Sequence, residues 1–112
     1  MDLIEVDQEE SGRYSLWLEA GTTDVDDVIA ELGHEPNGYF WDGIVQLLVA
    51  SEAAALKDRF ESDPEAGAYC AYSEDRTVIE DLAARLQAVA TNEDRLRQLV
   101  DLADTTGFEF DD

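Results

Sequence analysis

The chain is short of positive charge. Seven Lys and Arg stand against 28 Asp and Glu in 112 residues, the formal net charge is −21, and the one lysine is Lys57. With no basic stripe there is nothing to neutralise phosphates, so nucleic acid and anionic lipid surfaces are excluded as partners. A single cysteine, Cys70, allows no intrachain disulfide and fits a reducing compartment. One histidine, His34, and one thiol are too few for a zinc site, and no serine motif accompanies the histidine. No glycine-rich phosphate loop occurs. The most apolar run, Gly43 to Leu56, is broken by Gln46, Ser51 and Glu52 and is too short and polar to span a bilayer. The start, Met-Asp-Leu-Ile-Glu, lacks the basic and apolar regions of a signal peptide, so a cytoplasmic location is expected. Neither catalytic, cofactor-binding nor metal-ligating residues are identified, and the chain is not expected to be an enzyme.

What is present argues for a folded globule. Hydrophobic residues make up 45%, with two Trp, four Tyr and four Phe, which acidic disordered chains lack. The length fits one domain, residues 1–112, able to bury roughly two-thirds of its unfolded surface. Leu3 to Val6 reads as a first strand. Arg13 to Ala20 alternates, with Tyr14, Leu16 and Leu18 on one face and Trp17 on the polar one, as a half-buried strand hairpin-paired with the first. Thr23 is a candidate cap for a first helix of about three turns, with Asp24, Asp26 and Asp27 at its positive end and Gly33 closing it. Those acids also resemble a calcium loop, but the glycine and distal glutamate such a loop needs are missing. A second helix is predicted from Phe40 to Asp58, where an internal Gly43 suggests close packing. Phe60 to Asp63 and Ala68 to Tyr72 flank Pro64 and Gly67 as a second hairpin. Ser73 or Asp75 starts a third helix, and Thr91 or Asn92 a fourth that Gly107 ends. The fold class is α+β: a small antiparallel sheet of about four strands, in two hairpins, with about four helices packed on it.

Two stretches are unusual. His34 to Gly43 (HEPNGYFWDG) sets three aromatics side by side at a helix start; three adjacent helical positions span about 200°, so at least one must leave the core. Asp63 to Arg76 (DPEAGAYCAYSEDR) is an aromatic hairpin in which Cys70 reads as a buried, inert strand residue. With the closing Gly107 to Asp112 (GFEFDD), these resemble, in matching order, the Immunity protein 51 family of bacterial polymorphic toxin systems. The resemblance implies a cytoplasmic antitoxin that binds and occludes a cognate toxin domain. The acid excess suits a basic toxin, a nuclease with a cationic groove being one case. Partner-binding candidates are Trp41 and Trp17 as aromatic anchors, with Asp24, Asp26, Asp27, Glu31, Glu35 and Asp42 as an acidic rim. The competing reading puts both tryptophans in the core. The alternative function is an acidic adaptor or regulatory binding protein whose charge reflects a high-salt environment. Oligomeric state is not legible.

Overall fold

The computed structural model describes residues 4–112; Leu3, placed in the first strand by the sequence, lies outside them. Those residues carry four strands and four α-helices: β1 (Ile4–Gln8), β2 (Tyr14–Glu19), α1 (Asp26–Glu31), α2 (Gly38–Ser51), β3 (Glu61–Ser62), β4 (Ala68–Ser73), α3 (Arg76–Ala90) and α4 (Glu93–Thr106). The fold is α+β. Both expected hairpins form, and β2 pairs with β4 to join them into one antiparallel sheet of order β1-β2-β4-β3.

Strand parity sorts the side chains. Ile4, Leu16, Leu18, Tyr69 and Ala71 point inward, into one core shared with the helices. The predicted stripes of the last two helices are buried against it: Val78, Ile79, Leu82, Leu86 and Val89 on α3, and Leu96, Leu99, Val100 and Ala103 on α4. Side-chain caps start three helices. Asn37 accepts the Phe40 N–H, Asp75 the Thr77 N–H and Asn92 the Arg95 N–H. Each cap satisfies a backbone donor that the helix geometry leaves free. Ser73 instead accepts from Asp75, and Gly107 closes α4 in the left-handed conformation, φ 77°.

Two helices depart from the sequence reading. The first has six residues rather than three turns. Thr23 does not cap it; its hydroxyl donates to Asp26 and receives the Val25 N–H. The second starts at Gly38, earlier than expected, and stops at Ser51, well short of Asp58. Residues 52–56 are good helix formers, but tertiary packing overrides them. The chain turns back through a 3₁₀ turn, Ala54–Leu56, so that Ala53 and Leu56 re-enter the core.

The two unusual stretches and the closing segment meet around α2. Gly38 faces the backbone carbonyls of Glu65 and Ala68, and its N–H reaches the Ala66 carbonyl, so a Cβ there would overlap main chain of the β3–β4 hairpin. Gly43 faces Phe110 and Phe108, confirming the close packing expected of it. Phe110 stacks on Phe40 with ring centres 4.8 Å apart, and His34 meets the Phe110 ring edge-on at 4.8 Å. The Asp112 carboxylate lies 2.9 Å from His34 Nδ1 and accepts the Glu35 N–H at 2.8 Å.

Gly38→Ala is therefore expected to cost about 3 kcal/mol or more, because main chain must move, and Gly43→Ala about 1–3 kcal/mol, because a ring must move. Denaturant unfolding of Gly43→Ala, Phe110→Ala and the double variant tests this. The double variant should be more stable than the sum of the single losses implies; additive losses would show that Gly43 and Phe110 do not press on one another.

Candidate partner-binding surface

Among the described residues, the helices share the core with the inward face of the sheet and leave most of its outward face open. The residues of that outward face, by the same parity, are Glu5 and Asp7 on β1, Ser15, Trp17 and Glu19 on β2, Ala68, Cys70 and Tyr72 on β4, and Glu61 on β3. Trp17 stands in the middle, 45% exposed, the most open of the large hydrophobic side chains among the described residues. Glu5, Asp7, Glu19 and Glu61 around it are exposed.

The hydrogen-bond parity explains how Trp17 is held. The Glu9 N–H bonds the Arg13 carbonyl and the Ala20 N–H bonds the Gly67 carbonyl. Counting back by twos, Trp17 exchanges backbone bonds with Glu5, while Trp17 and Cys70 form a non-hydrogen-bonded pair, whose side chains approach most closely. Trp17 is therefore the cross-strand neighbour of Cys70, which is 3% exposed although it lies outside the main core cluster. Cys70 is buried as expected, but on the outer face, opposite a surface tryptophan. Burial, reinforced by the nearby Glu65 and Asp63 carboxylates, pushes its thiol pKa up and keeps it protonated and unreactive.

Beside Trp17 the face is firm. Arg13 lays its guanidinium over the Tyr72 ring, 4.2 Å from the centroid, and donates to Glu9 at 2.9 Å, which holds its pKa above the ordinary arginine value. Burial raises the Tyr72 phenol as well, with the Asp63 and Glu9 carboxylates adding to it. Each of the six arginines is paired to an acid: Arg13 to Glu9, Arg59 to Asp75, Arg76 to Glu80, Arg85 to Asp81, Arg95 to Glu52, and Arg97 to Glu31 and Glu93. The positive charges are cancelled locally, and the surplus acids set the field around the molecule.

The sequence-derived candidates fall into two groups. Trp41 is fully buried, packed edge-on against Phe40 at 5.7 Å, so it cannot anchor a partner; its ring completes the α2 face of the core. Its indole N–H is buried without a hydrogen-bond partner among the described residues, so its contribution there is apolar area. Of the three adjacent aromatics, Tyr39 is the one that leaves the core, 39% exposed. The acids belong to the helical layer. Asp24 and Asp27 are exposed and Asp26 half-buried at the start of α1; Glu31 bonds Arg97 of α4 at 2.9 Å. Glu35 is exposed beside the closing segment, and Asp42 accepts from Gln46 along α2. Trp17 alone lies on the open sheet face. Sequence reasoning missed Glu5, Asp7, Glu61 and Tyr72 as its neighbours, since only the strand register brings them there.

The sequence profile of the Immunity protein 51 family matches residues 2–105. That stretch includes the His34–Gly43 and Asp63–Arg76 motifs; Gly107–Asp112 lies beyond it. No curated protein and no solved structure matches the chain.

If Trp17 roofs Cys70, native Cys70 should resist alkylation, and Trp17→Ala should raise its rate roughly tenfold or more without unfolding the protein. Equal rates in the two folded proteins, followed by mass spectrometry, would place the cover elsewhere.

Proposed function

The chain belongs to the Immunity protein 51 family, and from that premise we propose that it is an immunity protein that neutralises a cognate toxin domain by stoichiometric occlusion. In this reading residues 1–112 act as one binding domain in the cytoplasm, without turnover of their own. The observation that supports the binding face is Trp17, exposed at the centre of an uncovered sheet and bordered by Glu5 and Glu19. An aromatic anchor ringed by acids suits a cationic partner: an arginine or lysine laid on the indole gains ring attraction and carboxylate attraction at once. Such anchors concentrate binding energy, while rim charges set the association rate.

The toxin this surface fits is basic, and a nuclease is the simplest case, since its phosphate groove is already cationic. The helical-layer acids, Asp24, Asp26, Asp27, Glu31, Glu35 and Asp42, contribute to the long-range field rather than to the anchor. Fast capture follows from that field, which matters when one toxin molecule turns over many substrates. Read instead as high-salt adaptation in an acidic adaptor, the same charge would make stability climb with molar salt and leave binding nearly salt-independent.

This reading expects a cognate toxin domain to be encoded beside this chain, and the test uses that domain. Inhibition should be stoichiometric. Trp17→Ala should weaken binding by about 2 kcal/mol or more, mostly through faster dissociation. Raising salt from about 20 to 150 mM should slow association several-fold. Turnover of toxin or its substrate by this protein alone, or unchanged affinity in Trp17→Ala, would contradict the proposal.

A further inference from the structure

β1 is an edge of the sheet, and the parity that fixes Trp17 also fixes which of its backbone groups are free. Glu5 and Asp7 bond inward to Trp17 and Ser15. Ile4, Val6 and Gln8 therefore turn their N–H and C=O groups outward, away from β2. Val6 shares the inward parity of Ile4 and Leu16, yet this large hydrophobic residue is 38% exposed. It lines, with Ile4, Ala83 and Ala84 on the apolar part and Arg76, Glu80 and Gln87 on the polar part, a cavity of about 430 Å³ between β1 and α3. The edge thus presents three things together: backbone groups unpaired among the described residues, a slot on the helix side whose floor at Ile4, Val6, Ala83 and Ala84 is apolar, and two exposed carboxylates, Glu5 and Asp7, on the open side.

We propose that β1 accepts a strand from the basic partner, paired edge to edge, with Lys or Arg side chains alternating with β-branched apolar ones. The apolar residues would fill the slot beside Val6, and the basic residues would face Glu5 and Asp7 on the same side as Trp17. Main-chain bonds supply affinity in such strand addition and the alternating side chains supply selectivity. Charge on edge strands ordinarily blocks pairing between copies. Here both charges are negative, so two copies of this chain repel at this edge, whereas a strand of opposite sign is attracted. The inference rests on the occlusion reading above and adds the partner's local chemistry.

Amide-resolved hydrogen exchange by NMR tests it on the whole chain, with synthetic eleven-residue peptides as probes. A peptide of alternating lysine and valine should slow exchange of the Val6 and Gln8 amides about tenfold or more, leaving the already bonded Glu5 and Asp7 amides unchanged. A peptide of alternating glutamate and valine should do nothing. Val6→Pro removes one outward donor that the sheet itself does not use, so it should abolish the protection while keeping the fold; should it unfold, Val6→Asp, which places a charge beside the apolar floor at Ile4 and Ala83, serves in its place. No protection at Val6 and Gln8, protection spread over the whole acidic surface, or equal protection by the glutamate peptide would each overturn strand addition. Concentration-dependent protection of the same amides without peptide would overturn it in favour of self-pairing. Inhibition of the toxin domain by Val6→Pro at full strength, alongside loss of inhibition in Trp17→Ala, would leave the occlusion reading standing and remove this one.

Discussion

Two missing side chains on α2 hold the architecture together. Gly38 and Gly43 are five residues apart, about 140° around the helix, so they open different sides of it. One side admits the main chain of the β3–β4 hairpin, and the other admits Phe108 and Phe110. Between them Phe40, Trp41, Ile44 and Leu48 are fully or almost fully buried. The helix is thus pinned to the sheet by backbone proximity, and the closing segment is pinned to the helix by ring stacking and by Asp112 on His34 and Glu35. Extra volume at either glycine propagates, because packed interiors transmit strain rather than absorb it.

That arrangement decides where function can reside. The segments that make the chain look like a family member, His34–Gly43 and Asp63–Arg76, are joints: they set helix against hairpin. His34, the one histidine, is committed to Asp112 and Phe110. With all the helices drawn to the inner face, the outer face of the sheet is left to Trp17 and its acids. A scaffold whose signature residues lie in its joints leaves its open face free to be shaped for a particular partner. In the proposed reading, partner choice rests on the open face rather than on these joints.

The elements that were legible in the sequence were those set by local chemistry. Alternation in Arg13–Ala20, the Pro64–Gly67 turn, the stripes of α3 and α4 and the Gly107 stop all form as read. What was illegible depended on tertiary packing. The Ser51 break in α2 has no breaker residue; it exists because Ala53 and Leu56 gain more by returning to the core. The shortness of α1 has the same kind of origin, with Thr23 spending its hydroxyl on Asp26 rather than on a helix N–H. At the candidate site, parity alone put Trp17 on the polar side of its strand. Trp41 misled because three aromatics in a row guarantee that one leaves the core without saying which, and Tyr39 is the one that does. Glu5, Asp7, Glu61 and Tyr72 could not be grouped with Trp17 before the β1–β2–β4–β3 register was known.

The central claim is that the uncovered sheet face, and not the helical layer, meets the toxin. Fluorine NMR of 5-fluorotryptophan-labelled protein reads it directly, since the chain has two tryptophans, one open and one buried. In the free protein the Trp17 resonance should shift between H₂O and D₂O and the Trp41 resonance should not. On adding the proposed cognate toxin domain to saturation, the Trp17 solvent-isotope shift should vanish while Trp41 stays as it was. A Trp17 resonance that keeps its full solvent shift in a fully inhibited complex would contradict the account.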